Sequence, residues 1–100
     1  MNTNETLKNT CHEYAREMQD VYEDGGLYEW LDENALCVEA LMVNPYDRFE
    51  VVGCIVSLAL GGPTIRVNTF DCEIVGSWYP DTCTVCIDDN LAAAITEYFA

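Results

Sequence analysis

The chain has very little positive charge. Its 100 residues contain four Lys or Arg against 18 Asp or Glu, which gives a formal net charge of -14 at pH 7. A protein that binds DNA, RNA or an anionic membrane directly needs a cationic surface to displace counterions. The composition therefore argues against direct binding to nucleic acid or to a membrane and favours a basic protein partner.

Histidine is also scarce, with His12 the single example. Nothing in the adjacent sequence would orient it into a catalytic triad. The one C-x-x-C motif, Cys83–Cys86, falls in a predicted strand, where residues i and i+3 point to opposite faces, and no second motif completes a zinc site. We expect no enzymatic activity, no cofactor and no metal; the alternative is a protein that binds zinc through its cysteines.

No apolar run approaches the roughly 20 residues of a membrane span. The segment 1–10 is polar and lacks the basic and then apolar order of a signal peptide. We therefore expect a cytoplasmic protein whose six cysteines are reduced.

Half of the residues are hydrophobic, which suffices for one core but not for two domains at this length. Hydrophobic periodicity predicts a single domain, 1–100, of the α+β class: an antiparallel sheet of about four to five strands with an N-terminal helix, a short second helix and a C-terminal helix packed on it. The predicted helices are Thr3–Glu23, Leu27–Glu33 and Asn90–Phe99, and the predicted strands are Leu36–Val43, Phe49–Leu60, Thr64–Asn68, Asp71–Ser77 and Thr82–Ile87.

Three local predictions are open to a direct check. The segment Leu36–Val43 fits either a strand or a helix, and we favour the strand. A tight turn at Thr69-Phe70 would place Arg66 opposite Glu73. Either Asp88 or Asp89 caps the last helix.

The acidic residues are concentrated early in the chain. Between residues 13 and 39 there are nine acids and one base. Four of the acids recur at helical spacing: Glu13, Glu17, Asp20 and Asp24. This spacing predicts an acidic stripe opposite the apolar face of the first helix. The candidate partner-binding residues are Glu13, Glu17, Asp20, Glu23, Asp24, Glu29, Asp32 and Glu33. Such a face either imitates the phosphates of a nucleic acid or only keeps a small protein soluble.

The second half of the chain carries a family resemblance. The segments concerned are Phe49–Val52, Leu60–Thr69 with its Gly-Gly-Pro hairpin, Glu73–Tyr79 and the acidic closing helix, with Trp30-Leu31 upstream. These features resemble small proteins of phages and mobile elements, and together with the size and acidity they resemble anti-CRISPR proteins. The chain departs from that pattern at Cys83–Cys86, where a more polar strand is expected.

The resemblance implies a non-enzymatic anti-defence inhibitor acting in the bacterial host cytoplasm. Its acidic surface would occupy the DNA- or RNA-binding channel of a basic partner such as a Cas effector. The alternative is an acidic accessory protein of a mobile element that does not imitate nucleic acid. Such a protein could form a homodimer through a sheet edge or through Trp78-Tyr79.

Overall fold

A computed structural model describes residues 3–43 and 50–100. In these ranges the chain forms three helices and a five-stranded antiparallel sheet, which confirms the predicted α+β class. The elements in chain order are α1 (Thr3–Asp24), α2 (Leu27–Asn34), β1 (Cys37–Val43), β2 (Glu50–Ala59), β3 (Thr64–Asn68), β4 (Glu73–Trp78), β5 (Asp81–Cys86) and α3 (Asp89–Phe99). The predicted start of the second strand at Phe49 lies outside the described residues.

The strands are arranged as a meander, in the spatial order β1-β2-β3-β4-β5. The ambiguous segment is a strand, as favoured, because 37–43 pairs along β2 from Cys37 opposite Ser57 to Val43 opposite Glu50. The apolar strand β2 has a partner on each side, which agrees with its prediction as an interior strand. None of the described helices is both long enough and apolar enough to cross a membrane.

The predicted pairing of Arg66 with Glu73 is wrong. Arg66 lies opposite Val75, and Glu73 lies opposite Asn68. The connection is a four-residue turn, Thr69–Cys72, and not a two-residue turn. The Asn68 side chain accepts a hydrogen bond from the Asp71 backbone N–H at 3.1 Å, and this bond closes the longer turn.

All three helices contribute to one core. α1 packs along β4 and β5, and α3 packs on β2. Gly25 has a positive φ of 83° and follows the last residue of α1. The Gly26 N–H donates a hydrogen bond to the Val21 carbonyl. Asp88, and not Asp89, caps α3 by accepting a hydrogen bond from the Asn90 N–H. The most completely buried side chains are Leu7, Cys11, Met18, Leu31, Cys54, Val56, Ile65, Val67, Ile74, Leu91 and Ile95.

A buried threonine connects the sheet to α3. The Thr69 hydroxyl accepts a hydrogen bond from the Cys54 N–H at 2.8 Å and lies 2.6 Å from the Thr96 hydroxyl. The Thr96 hydroxyl also donates to the Ala92 carbonyl of its own helix. This series of hydrogen bonds therefore links β2, the β3–β4 turn and α3. Both threonine hydroxyls find their hydrogen-bond partners inside the protein.

α1 lies close against the sheet at Gly76 of β4. A Cβ atom at this position would overlap the Cys11 Sγ and would lie 2.9 Å from the Leu7 Cδ1. Both contacting residues are buried side chains of α1. A strand residue without a side chain therefore sets how near α1 lies to the sheet.

We predict that Gly76→Ala destabilises the protein by about 1–3 kcal/mol, because the added methyl group forces α1 away from the sheet. Urea unfolding followed by circular dichroism would measure the change. Gly62→Ala is the matched control, because a Cβ there meets nothing within 4 Å. Equal stability of the two variants would contradict the close packing described for α1.

Candidate functional site

The eight acidic residues predicted as a partner-binding surface lie on α1 and α2, and all eight are exposed. The two helices are joined by Gly25-Gly26 and are in contact with each other. Their buried faces anchor them to the core, since Leu7 and Met18 of α1 and Leu31 of α2 are fully buried. The carboxylates are therefore carried on packed elements and not on loops.

Four of these residues form one row on α1, which we call the acidic row: Glu13, Glu17, Asp20 and Asp24. Their spacing of four, three and four residues keeps them on one side of the helix. The row is about 17 Å long from first to last Cα, at about 1.5 Å per residue. It presents roughly one carboxylate for each turn of the helix.

The first half of the acidic row borders a shallow groove at the end of α2. Glu13 and Glu17 line a cavity of about 260 Å³ together with Thr10, Tyr14 and Asn34. The Asn34 side-chain amide already donates to the Trp30 carbonyl at 2.8 Å, and the Thr10 hydroxyl donates to the Thr6 carbonyl. The two carboxylates are thus the charged groups that this groove offers to a partner.

Glu23 does not belong to the acidic row. At about 100° per residue it is displaced by roughly a quarter of a turn from the row, toward the opposite flank of α1. Its carboxylate accepts a hydrogen bond from the Gln19 side chain at 3.3 Å. A partner that contacts the centre of the row would meet Glu23 only at its margin.

The three acidic residues of α2 also differ in their contacts. Asp32 accepts a hydrogen bond from the Tyr98 hydroxyl of α3, and this bond is the main reason that the pKa of Tyr98 is raised. Tyr98 also stacks on Tyr28 with 4.4 Å between ring centroids. Asp32 is therefore engaged in holding α3 against α2, whereas Glu29 and Glu33 are exposed on α2.

One charged feature was not predicted. Lys8, His12 and Arg16 recur every four residues on the other flank of α1, and all three are exposed. His12 and Arg16 face an open groove of about 620 Å³ between α1 and β5. The four-residue repeat of these side chains is the signal in the sequence that could have predicted this feature.

The cysteines occupy unlike environments. The C-x-x-C motif lies in β5, as predicted. Its Cys83 is beside Cys11 under α1, whereas its Cys86 is exposed at the end of the strand. Burial, followed by the neighbouring Cys83, raises the pKa of Cys11 to about 12. Among residues 3–43 and 50–100, no three His, Cys, Asp or Glu side chains are grouped as ligands for a metal ion.

No protein-family model, curated protein or solved structure matches the chain.

We predict that maleimide at about pH 8 labels Cys37 and Cys86 of the folded protein and leaves Cys11 and Cys54 unmodified. The first two thiols are exposed, whereas burial raises the pKa of both Cys11 and Cys54 and keeps them as poorly nucleophilic thiols. Mass spectrometry of labelled peptides would give the rate at each site. If Cys11 were labelled as fast as Cys37, the result would contradict the packing of α1 on β5. The control is labelling of the protein unfolded in urea.

Proposed function

We propose that the protein is a non-enzymatic anti-defence inhibitor of the anti-CRISPR type, which uses its acidic surface to occupy the nucleic-acid channel of a Cas effector. The observation that carries the proposal is the acidic row: four exposed carboxylates on one flank of a packed helix. Inhibition of this kind is stoichiometric occlusion and needs no catalytic group.

The spacing of the acidic row supports the proposal. Residues one helical turn apart have Cβ atoms about 5–6 Å from each other, which is comparable in scale to the separation of phosphates along one strand. A channel built for nucleic acid presents Lys and Arg at that scale. Glu29 and Glu33 of α2 extend the surface, while Asp32 and Glu23 have a smaller part in it.

The charge of the chain supports the same proposal in a second way. An excess of negative charge destabilises a compact protein through self-repulsion, and a basic partner relieves that repulsion on binding. Opposite charges also accelerate association, so the complex should form fast and weaken steeply with salt. Solubility alone would be served by acids scattered over the whole surface.

We predict that Glu13→Lys combined with Glu17→Lys weakens inhibition by about a hundredfold without loss of fold, because like charges would then meet in the channel. Purified Cas effectors with guide RNA would be assayed for target binding and cleavage, with circular dichroism to verify folding. The matched control is Glu39→Lys with Glu50→Lys, which changes the net charge equally at two exposed positions of the β1–β2 ladder. Equal inhibition by both double variants would contradict the proposal.

Salt provides an independent test of the same interaction. Binding at about 0.1 M salt should be lost at about 0.5 M, where the screening length is roughly half as long. Guide RNA or target DNA should also displace the protein. The absence of any nucleic-acid-binding partner at low salt, or a salt-resistant partner that binds no nucleic acid, would exclude mimicry.

The second candidate is an accessory protein that forms a homodimer, and the exposed β1 edge favours it. β1 is an outer strand, and apolar side chains in and beside it are exposed: Leu36 at 60%, Val38 at 37%, Met42 at 55% and Val43 at 44%. An unpaired edge with such side chains is suited to strand pairing with a second chain. The Trp78-Tyr79 turn is the other candidate contact, with Tyr79 94% exposed.

For this second candidate we predict a mass of twice 11.2 kDa in light scattering at both low and high salt. Met42→Lys should shift the protein to a monomer, because a buried lysine would have no partner at the paired edge. Tyr79→Lys is the control that separates the edge from the turn. A monomeric protein at all concentrations would exclude the homodimer and leave mimicry unaffected.

A further inference from the structure

The groove between α1 and β5 is distinct from the acidic row, because it lies on the opposite flank of α1. Its helical wall includes His12, Arg16 and Gln19, its strand wall includes Thr84 and Cys86, and apolar side chains of both elements complete the lining. The volume of about 620 Å³ is open to solvent along one side. The groove is more than twice as large as the groove beside Glu13 and Glu17.

The helical wall of this groove has the opposite charge to the rest of the protein. Lys8 continues the row of His12 and Arg16 by the same four-residue step, so two of the four Lys and Arg residues and the only histidine share one flank of α1. The acidic residue among the lining groups is Asp88, whose carboxylate accepts a hydrogen bond from the Asn90 N–H as the cap of α3. The groove therefore offers the guanidinium of Arg16 to an anionic ligand, and Lys8 lies beyond the groove on the same flank of α1.

The strand wall offers unpaired backbone. Within residues 3–43 and 50–100, β5 is the last strand of the sheet, and Thr84 to Ile87 line the groove. The Ile87 N–H donates to the Cys72 carbonyl on the β4 side. Because the backbone groups of successive residues point to opposite sides of an antiparallel strand, the N–H and C=O groups of Cys86 and Thr84 point away from β4, toward the outer edge.

The two walls match the repeat of an extended chain. Successive residues of the row on α1 are about 6 Å apart along the helix axis. Side chains on one face of an extended strand recur about every 6.7 Å. An added strand that runs along α1 with acidic residues at alternate positions would therefore place successive acids beside successive members of the row. A compact anion would contact a single cation and leave the edge unpaired.

We propose that the groove between α1 and β5 binds an extended segment of a partner protein with acidic residues at alternate positions, which pairs as a sixth strand with the β5 edge. Backbone hydrogen bonds to Thr84 and Cys86 supply affinity, and Arg16, with Lys8 and His12, selects the acidic side chains. The net charge of the protein does not prevent this, because exposed charges beyond about 8 Å are largely screened at physiological salt. The inference is independent of the function proposed for the acidic row.

The test uses a fluorescent octapeptide of alternating Glu and Thr, with fluorescence anisotropy as the measurement. We expect saturable binding, which weakens by about fivefold in Arg16→Ala and further in the double variant with Lys8→Ala. Arg66→Ala is the matched control, because Arg66 is exposed on β3, outside the groove. Two control peptides are a Lys–Thr octapeptide and the Glu–Thr octapeptide N-methylated at every amide, which has no backbone N–H to donate to a strand edge; neither should bind.

A second readout locates the peptide on the protein. Cys86 lines the groove and is exposed, whereas Cys37 is exposed on β1 at the other end of the sheet. Bound peptide should slow maleimide labelling of Cys86 and leave Cys37 unchanged. Three results would overturn the proposal. The first is that the Glu–Thr octapeptide does not bind, and the second is that an octapeptide with its four Glu residues clustered binds equally well. The third is that the bound peptide slows the labelling of Cys86 and Cys37 equally. So would protection of Cys86 by inorganic phosphate or by a second copy of the chain in place of the peptide.

Discussion

The seating of α1 on Gly76 is the contact on which the other features of the molecule depend. Because β4 has no side chain at that point, Leu7 and Cys11 lie directly against the sheet. α1 is held along β4 and β5 by the fully buried side chains Leu7, Cys11 and Met18, so its charged flanks have fixed positions relative to the strands. The same contact places the acidic row at the α2 side and the basic row at the β5 edge.

The acidic row and the row of Lys8, His12 and Arg16 therefore lie on separate flanks of one helix, with Glu23 displaced from the first row toward the second. The acidic row and the row of Lys8, His12 and Arg16 are separated by the width of α1, and each borders its own groove. At physiological ionic strength the two flanks act as nearly separate electrostatic surfaces, because exposed charges interact over about 8 Å. A net charge of -14 therefore describes the chain poorly at the scale of a contact.

Most of the fold was predictable because its signals are local. The helical spacing of Leu7, Cys11 and Met18, in steps of four and seven residues, the Gly25-Gly26 stop and the capping aspartate each report on residues within a turn or two. The β3–β4 register was not predictable, because it depends on a hydrogen bond from the Asp71 N–H to Asn68 that selects a four-residue turn. For the candidate site, exposure of the acids followed from periodicity. The engagement of Asp32 did not, since Tyr98 is 66 residues away in sequence.

The meander order has a consequence for how the chain assembles during synthesis. Every strand pairs with its neighbour in sequence, so each hairpin closes a short loop at small entropic cost. α1 is the exception, because the strands that cover it, β4 and β5, are synthesised roughly fifty or more residues after its last turn. Until they emerge, Leu7, Cys11 and Met18 form an uncovered apolar stripe flanked by charged residues. The charged flanks then act as gatekeepers that keep the growing chain from aggregating.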